Sequence, residues 1–96
     1  MRPSEALDSH KQKIRDIVEN HRARNARVFG SVLRGADDDS SDLDLLVDAT
    51  ELMTLFDLGA IQYEVSQLLG VDVDVVTPGA LPEKWRERVL REARPI

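Results

Sequence analysis

The sequence predicts an α+β domain, a small mixed β-sheet of about three strands covered by helices, and three observations lead there. Short segments rich in Val and Leu at 26–31, 42–49 and 71–76 read as strands. Between the last two, Thr50 to Leu69 carries Leu52, Leu55, Phe56, Leu58, Ile61, Val65, Leu68 and Leu69 at a helical period, and Gly70 stops it. Strand, long helix and strand make a crossover, which places the two strands parallel in one sheet.

The elements follow in order along the chain. Ser4 is placed to cap a first helix, with Leu7, Ile14, Ile17, Val18 and His21 near one stripe and an end near Asn25. "ARVFGS" (Ala26 to Ser31) reads as a strand stopping at a turn. "VLRGADDDSS" reads as one loose helical turn and then a loop, because Asp and Ser bond their own backbone in competition with helix. "DLDLLVDA" (Asp42 to Ala49) begins in period-2 alternation and becomes continuously apolar, as does a central strand whose first end reaches the surface. After "VDVDVV", Thr77-Pro78-Gly79 makes a turn. Pro82 suits the first turn of a last helix with Trp85, Val89, Leu90 and Ala93 on its buried side.

Bulk composition narrows the class. A chain of 96 residues, 42% apolar and 32% charged, fits a single domain spanning residues 1–96 with one modest core. It has no cysteine, which excludes disulfides and thiolate metal sites and suits a reducing cytoplasm. No apolar leader and no membrane-length run is present, so a cytoplasmic location with no membrane partner is expected. A net charge of -5 argues against direct nucleic-acid binding through phosphate neutralisation. Much of the negative charge falls between Asp37 and Asp48, whereas His21–Arg27 and Lys84–Arg94 lean basic.

The acidic stretch poses the chemical question. Asp42 and Asp44 share one face of their strand, with Leu43 and Leu45 on the other. Adjacent carboxylates at the mouth of a buried strand repel unless a cation neutralises them. Hard oxygen ligands suit Mg²⁺ or Mn²⁺, and Mg²⁺ is usually held by a few carboxylates plus water and substrate phosphates. Asp72 and Asp74 repeat the pattern on the next parallel strand. Asp74 lies deeper and is the better third carboxylate. Gly30 permits close approach to a ligand, and Ser31, opening a helical turn, would offer its hydroxyl and free N–H groups to an anion.

Each part has a bland reading beside it. Asp37 to Asp39 read as solvated loop, and Ser31 alone could simply cap a turn. Arg34 suits a phosphate or, equally, an ion pair with a neighbouring Asp. His10 and His21 sit on a helix surface without metal-ligand spacing. An EF-hand over 37–48 fails, since Asp42 stands where Gly is required and Leu45 where a ligand is required. The spacing is more informative than any part: Gly30-Ser31, ten residues, then Asp42-x-Asp44 arises in roughly one shuffled sequence of this composition in 300.

"FGSVLRGADDDSSDLDLLVD" resembles the signature of the DNA polymerase β-type nucleotidyltransferases, and nearly the whole chain resembles their minimal nucleotidyltransferase branch, the antitoxins of HEPN–nucleotidyltransferase toxin–antitoxin pairs. "VDVDVVTPGAL" resembles that family's third-carboxylate strand and "RERVLREARPI" its C-terminal ending. The resemblance implies a polymerase β-like fold. It assigns catalysis to Asp42, Asp44 and Asp74, the same three as ligands of two Mg²⁺ ions, and nucleotide binding to Gly30, Ser31 and Arg34. It further implies AMP transfer from ATP to a tyrosine hydroxyl of a cognate HEPN ribonuclease toxin, with Asp74 helping to deprotonate the acceptor. A small domain would leave the acceptor protein to bring its own docking surface. Two alternatives stay open: an antitoxin that neutralises by stoichiometric binding, and a nucleotide-binding module without turnover.

Overall fold

The computed structural model describes residues 2–96. In chain order it has α1 (Pro3–Ser9), α2 (Lys11–Asn20), β1 (Ala23–Phe29), β2 (Leu43–Ala49), α3 (Leu55–Leu69), β3 (Val73–Val76), a 3₁₀ turn (Pro78–Ala80), α4 (Glu83–Glu92) and β4 (Arg94–Pro95). The sheet runs β3-β2-β1-β4. The β2–β3 pair is parallel, as the crossover requires, and β1 is antiparallel to both β2 and β4. The expected α+β class is observed with four strands instead of about three. The extra one is only two residues long, and its Arg and Pro carry no strand signal.

Alternation along β2 sorts the molecule into two faces. Leu43, Leu45 and Val47 are fully buried in one cluster with Val28, Val73 and Val75 of the sheet and Ile14, Val18, Ile61 and Val65 of the helices. Each such side chain removed from water contributes about 1.5–3 kcal/mol. Asp42, Asp44, Leu46 and Asp48 belong to the opposite face. There Leu46 is buried too, where the 3₁₀ turn packs against β2.

Several boundaries depart from the sequence expectation, each for a local reason. The first helix is two, broken at His10, whose backbone N–H bonds to the Leu7 carbonyl and whose Nδ1 meets the Ala6 carbonyl at 3.0 Å. Ser4 does not cap it: Arg2 holds the cap position, and the Ser4 N–H donates to Asp37 Oδ2 at 2.9 Å. Asn25, expected at a helix end, lies inside β1 at φ 55, where the register with β2 slips. The long helix starts at Leu55, not Thr50. Thr54 caps it, its N–H donating to Asp57 Oδ2 at 2.8 Å while its hydroxyl accepts from the Asp57 N–H. Gly70 ends it in the left-handed conformation, as expected.

The last helix is the largest correction. No residue of α4 is buried, and Trp85 and Leu90 are exposed. Polar contacts fasten it in place of an apolar face. Arg86 Nε donates to the Pro78 carbonyl at 2.9 Å, and its Nη2 donates to the Leu81 carbonyl at 2.9 Å. Beyond α4, β4 pairs with Arg27 and Val28, and the Ile96 N–H reaches the Ala26 carbonyl. No helix among the described residues is long and apolar enough to cross a membrane.

Candidate active site

The parallel register sets Asp44 directly beside Asp74, and Asp42 precedes Asp44 by two residues on the same face. Asp42 and Asp74 are exposed, while Asp44 is half-buried. Burial pushes the Asp44 carboxyl above the ordinary carboxylate range, and the charges of Asp74 and then Asp42 push it the same way, with Arg34 pulling back. The two expected strands therefore do bring their carboxylates to one place.

Gly30 is fitted to Asp44. Its φ of 76 lies in the left-handed region, and the antiparallel register opposite Phe29 brings it against the Asp44 side chain. A Cβ built on Gly30 would strike Asp44 Oδ2, with Cγ only 3.2 Å away. The following residues wind as consecutive turns instead of a helix: the Arg34 N–H bonds to the Gly30 carbonyl and the Ala36 N–H to the Ser31 carbonyl. Ser31 thus opens a bend beside the carboxylates. Arg34 is exposed and, among the described residues, forms no ion pair with an aspartate; it acts on Asp44 through longer-range attraction.

The loop between the bend and β2 is better organised than expected. Asp37 is buried, not solvated, and the N–H of Ser4 holds its carboxyl below the ordinary range. It satisfies an orphan donor at the start of α1 and pins the loop to the body of the protein. Asp38 Oδ1 accepts from the Ser40 N–H at 2.8 Å and from its hydroxyl at 2.7 Å, an Asx turn that aims the chain into Asp42. Asp48, on the same face as Asp44, is engaged by Arg27 and Asn25. His21 sits away from this region, paired with Glu64 of α3.

A closed three-carboxylate cage does not form: among the described residues, no three His, Asp or Glu side chains stand so that they could together hold a metal ion. The donor set still fits Mg²⁺, which is ordinarily bound by one or two carboxylates plus substrate phosphates and water. Asp44 and its neighbour Asp74 offer that pair, and beside the larger effect of burial, the part of Asp44's upward shift that comes from Asp74 and Asp42 is repulsion a divalent cation would relieve. Asp42, Asp72 and Asp74 also line one hollow of about 440 Å³ with Gln62 and Tyr63 of α3. A larger hollow, about 870 Å³ around Arg22, Ala49 and Leu52, lies at the other end of the strands and touches none of these carboxylates.

A model described as the nucleotidyltransferase domain matches residues 8–96 of this chain. The chain belongs to the nucleotidyltransferase family. Its enzyme class follows from that membership. Protein adenylyltransferase MntA of Thermococcus cleftensis is 36% identical over 90% of this chain and 84% of its own length. A solved structure described as a minimal nucleotidyltransferase superposes with a TM-score of 0.87 at 42% identity, covering 97% of this chain and 95% of that one. A toxin–antitoxin crystal structure with AMP-PNP shares the fold at a TM-score of 0.74 and 20% identity, over 88% of this chain and 70% of that one. The nucleotidyltransferase fold expected from the motif is thus the fold observed.

Residue reading alone missed Asp37 and Arg86. Asp37 acts on Ser4, 33 residues earlier, and no local spacing announces that pairing. Arg86 bonds carbonyls, which have no sequence signature. Thr54 with Asp57 was legible in principle as a capping box, since Thr-x-x-Asp precedes an apolar run.

Proposed function

We propose that this chain is a Mg²⁺-dependent protein adenylyltransferase that acts as an antitoxin, moving AMP from ATP to a hydroxyl, a tyrosine's, of a cognate HEPN ribonuclease toxin. The observation that carries the reading is Asp44, half-buried behind Gly30 and set beside Asp74, with Asp42 two residues before it, at one end of the sheet. Support for a protein acceptor comes from the name of the Thermococcus relative, and support for a toxin partner from the toxin–antitoxin structure of the same fold.

In this reading Asp42, Asp44 and Asp74 would hold the metal in pairs and not as one cage, Mg²⁺ in two ions or Mn²⁺ in its place, with substrate phosphates and water completing the coordination. When bound, the metal neutralises charge on the phosphates and on the departing pyrophosphate. Gly30 and Ser31 seat the triphosphate, the bend's N–H groups and the Ser31 hydroxyl donating to its oxygens. Arg34 adds a cation at the rim. The acceptor oxygen forms a bond to the α-phosphorus as the bond from that phosphorus to the bridging oxygen breaks, and pyrophosphate leaves with the electron pair. Asp74, exposed on the edge strand, takes the acceptor's proton.

A second reading, neutralisation by binding alone, draws on an apolar patch at the start of α3, where Leu55 is 83% and Phe56 89% exposed. Co-expression with the toxin separates the two. If transfer is the mechanism, the Asp42→Ala/Asp44→Ala double variant, folded and equally expressed, fails to restore growth, and wild type releases pyrophosphate only with toxin present. Full rescue by the double variant would refute transfer.

A further inference from the structure

We propose that the cleft between α4 and the Gly30 bend is the seat of the nucleotide's base, with Trp85 as the ring it stacks on. This rests on the nucleotide reading above and extends it to a part of the molecule that the acidic motif does not reach. The cleft holds about 250 Å³ and is lined by Phe29, Gly30, Leu33, Arg34, Trp85 and Val89, with Arg88 and Glu92 alongside. It adjoins the carboxylate site, because Phe29 is the register partner of Asp44, their side chains share a face, and Gly30 lies against Asp44.

Three features select a nucleoside as the occupant. The walls are apolar and aromatic, and Trp85 keeps 54% of its surface exposed on a helix with no buried residue, so its ring is accessible for stacking alongside the Lys84 ammonium. The mouth keeps a cationic excess in a chain of net charge -5: Arg88 there is paired with Glu92 at 3.1 Å, but Arg34 lines it too, and the Lys84 ammonium lies 5.9 Å from the Trp85 ring centroid. A flat aromatic group attached to a polyanion matches both properties. The sheet order also divides the sides of the site. Asp74 stands on edge strand β3, open to an acceptor, while the cleft lies across β2 on the β1 and α4 side. With the triphosphate on the Gly30–Ser31 bend between them, base and acceptor approach from opposite flanks.

Trp85 is the sole tryptophan, so fluorescence excited selectively in tryptophan, and not in Tyr63, reports on this cleft. Titration with ATP and Mg²⁺ is expected to change its emission saturably. Inorganic tripolyphosphate is expected to displace ATP without producing that change. By calorimetry, Trp85→Ala is expected to weaken ATP about tenfold to a hundredfold, the range of one base–aromatic stack. Its affinity for tripolyphosphate should be unaltered, and Trp85→Phe should recover most of the loss. Equal fluorescence changes with ATP and tripolyphosphate would overturn the assignment. ATP binding by calorimetry with a silent Trp85, or unaltered in Trp85→Ala, would overturn it and leave the transferase reading standing. Absence of any ATP binding would sink both.

Discussion

Two aspartates in this site feel opposite forces, and their pH dependence distinguishes them. Asp44 is raised by burial and by its acidic neighbours, so the fold favours its neutral form. Its favourable contribution is complete below the ordinary carboxylate pKa and is lost as pH rises through the raised value. Asp37 is lowered by the Ser4 N–H, so its contribution is present above the ordinary value and lost as pH falls through the lowered one. Asp44→Asn is therefore expected to melt higher than wild type at neutral pH and Asp37→Asn lower, with both gaps closing in acid; thermal melts across pH check the two signs. Gly30→Ala combines a left-handed strain of about 1–2 kcal/mol with a clash on Asp44. It should lower the melting temperature by about 5 °C or more. In an Asp44→Gly background only the backbone share of that loss should remain. The Gly-Ser-x₁₀-Asp-x-Asp spacing made Gly30, Asp42 and Asp44 legible from sequence, because each serves one local geometry. Asp37 was not, since its role depends on a contact that exists only after the chain closes on itself.

Element by element, prediction succeeded where a hydrophobic period met a definite stop and failed where polar groups decide. Ile61, Val65 and Leu69 with Gly70 announced α3, and the alternation around Leu43 and Leu45 announced β2. The N-terminal end of α3 was overextended because Leu52 and Leu55 fit the period although both are exposed, and the Thr54 cap sets the true start. Thr54→Ala should cost about 1 kcal/mol, measured by denaturant unfolding. In α4 the apolar residues mimic a buried stripe, but the helix is fastened by Arg86 and by the strand after it. Arg86→Ala should therefore loosen α4 without melting the core. Amide exchange over 83–92 is expected to accelerate about tenfold or more while protection in β2 stays unchanged. Equal acceleration in both would show that α4 belongs to the core's cooperative unit.

At the scale of the whole molecule, one sheet does two jobs through alternation. One face supplies the core that the helices cover, and the other presents Asp44 and Asp74 side by side in register with Gly30 close above. Under the proposed function, stability and chemistry meet at Asp44, where burial and acidic neighbours disfavour the charge the proposed reaction needs, so the variant expected to be more stable is expected to be inactive. The topology was readable from sequence because a parallel pair needs a crossover; the position of α4 over the Phe29 end was not, since it follows from carbonyl contacts and a two-residue strand. The most direct measurement incubates wild type and Asp44→Asn with the proposed toxin partner in purified form, Mg²⁺ and ATP labelled on either the α- or the γ-phosphate. Label reaching the toxin only from the α-position, with wild type and not with Asp44→Asn, is the predicted result. Transfer from the γ-position, or equal α-label with the variant, would contradict the account.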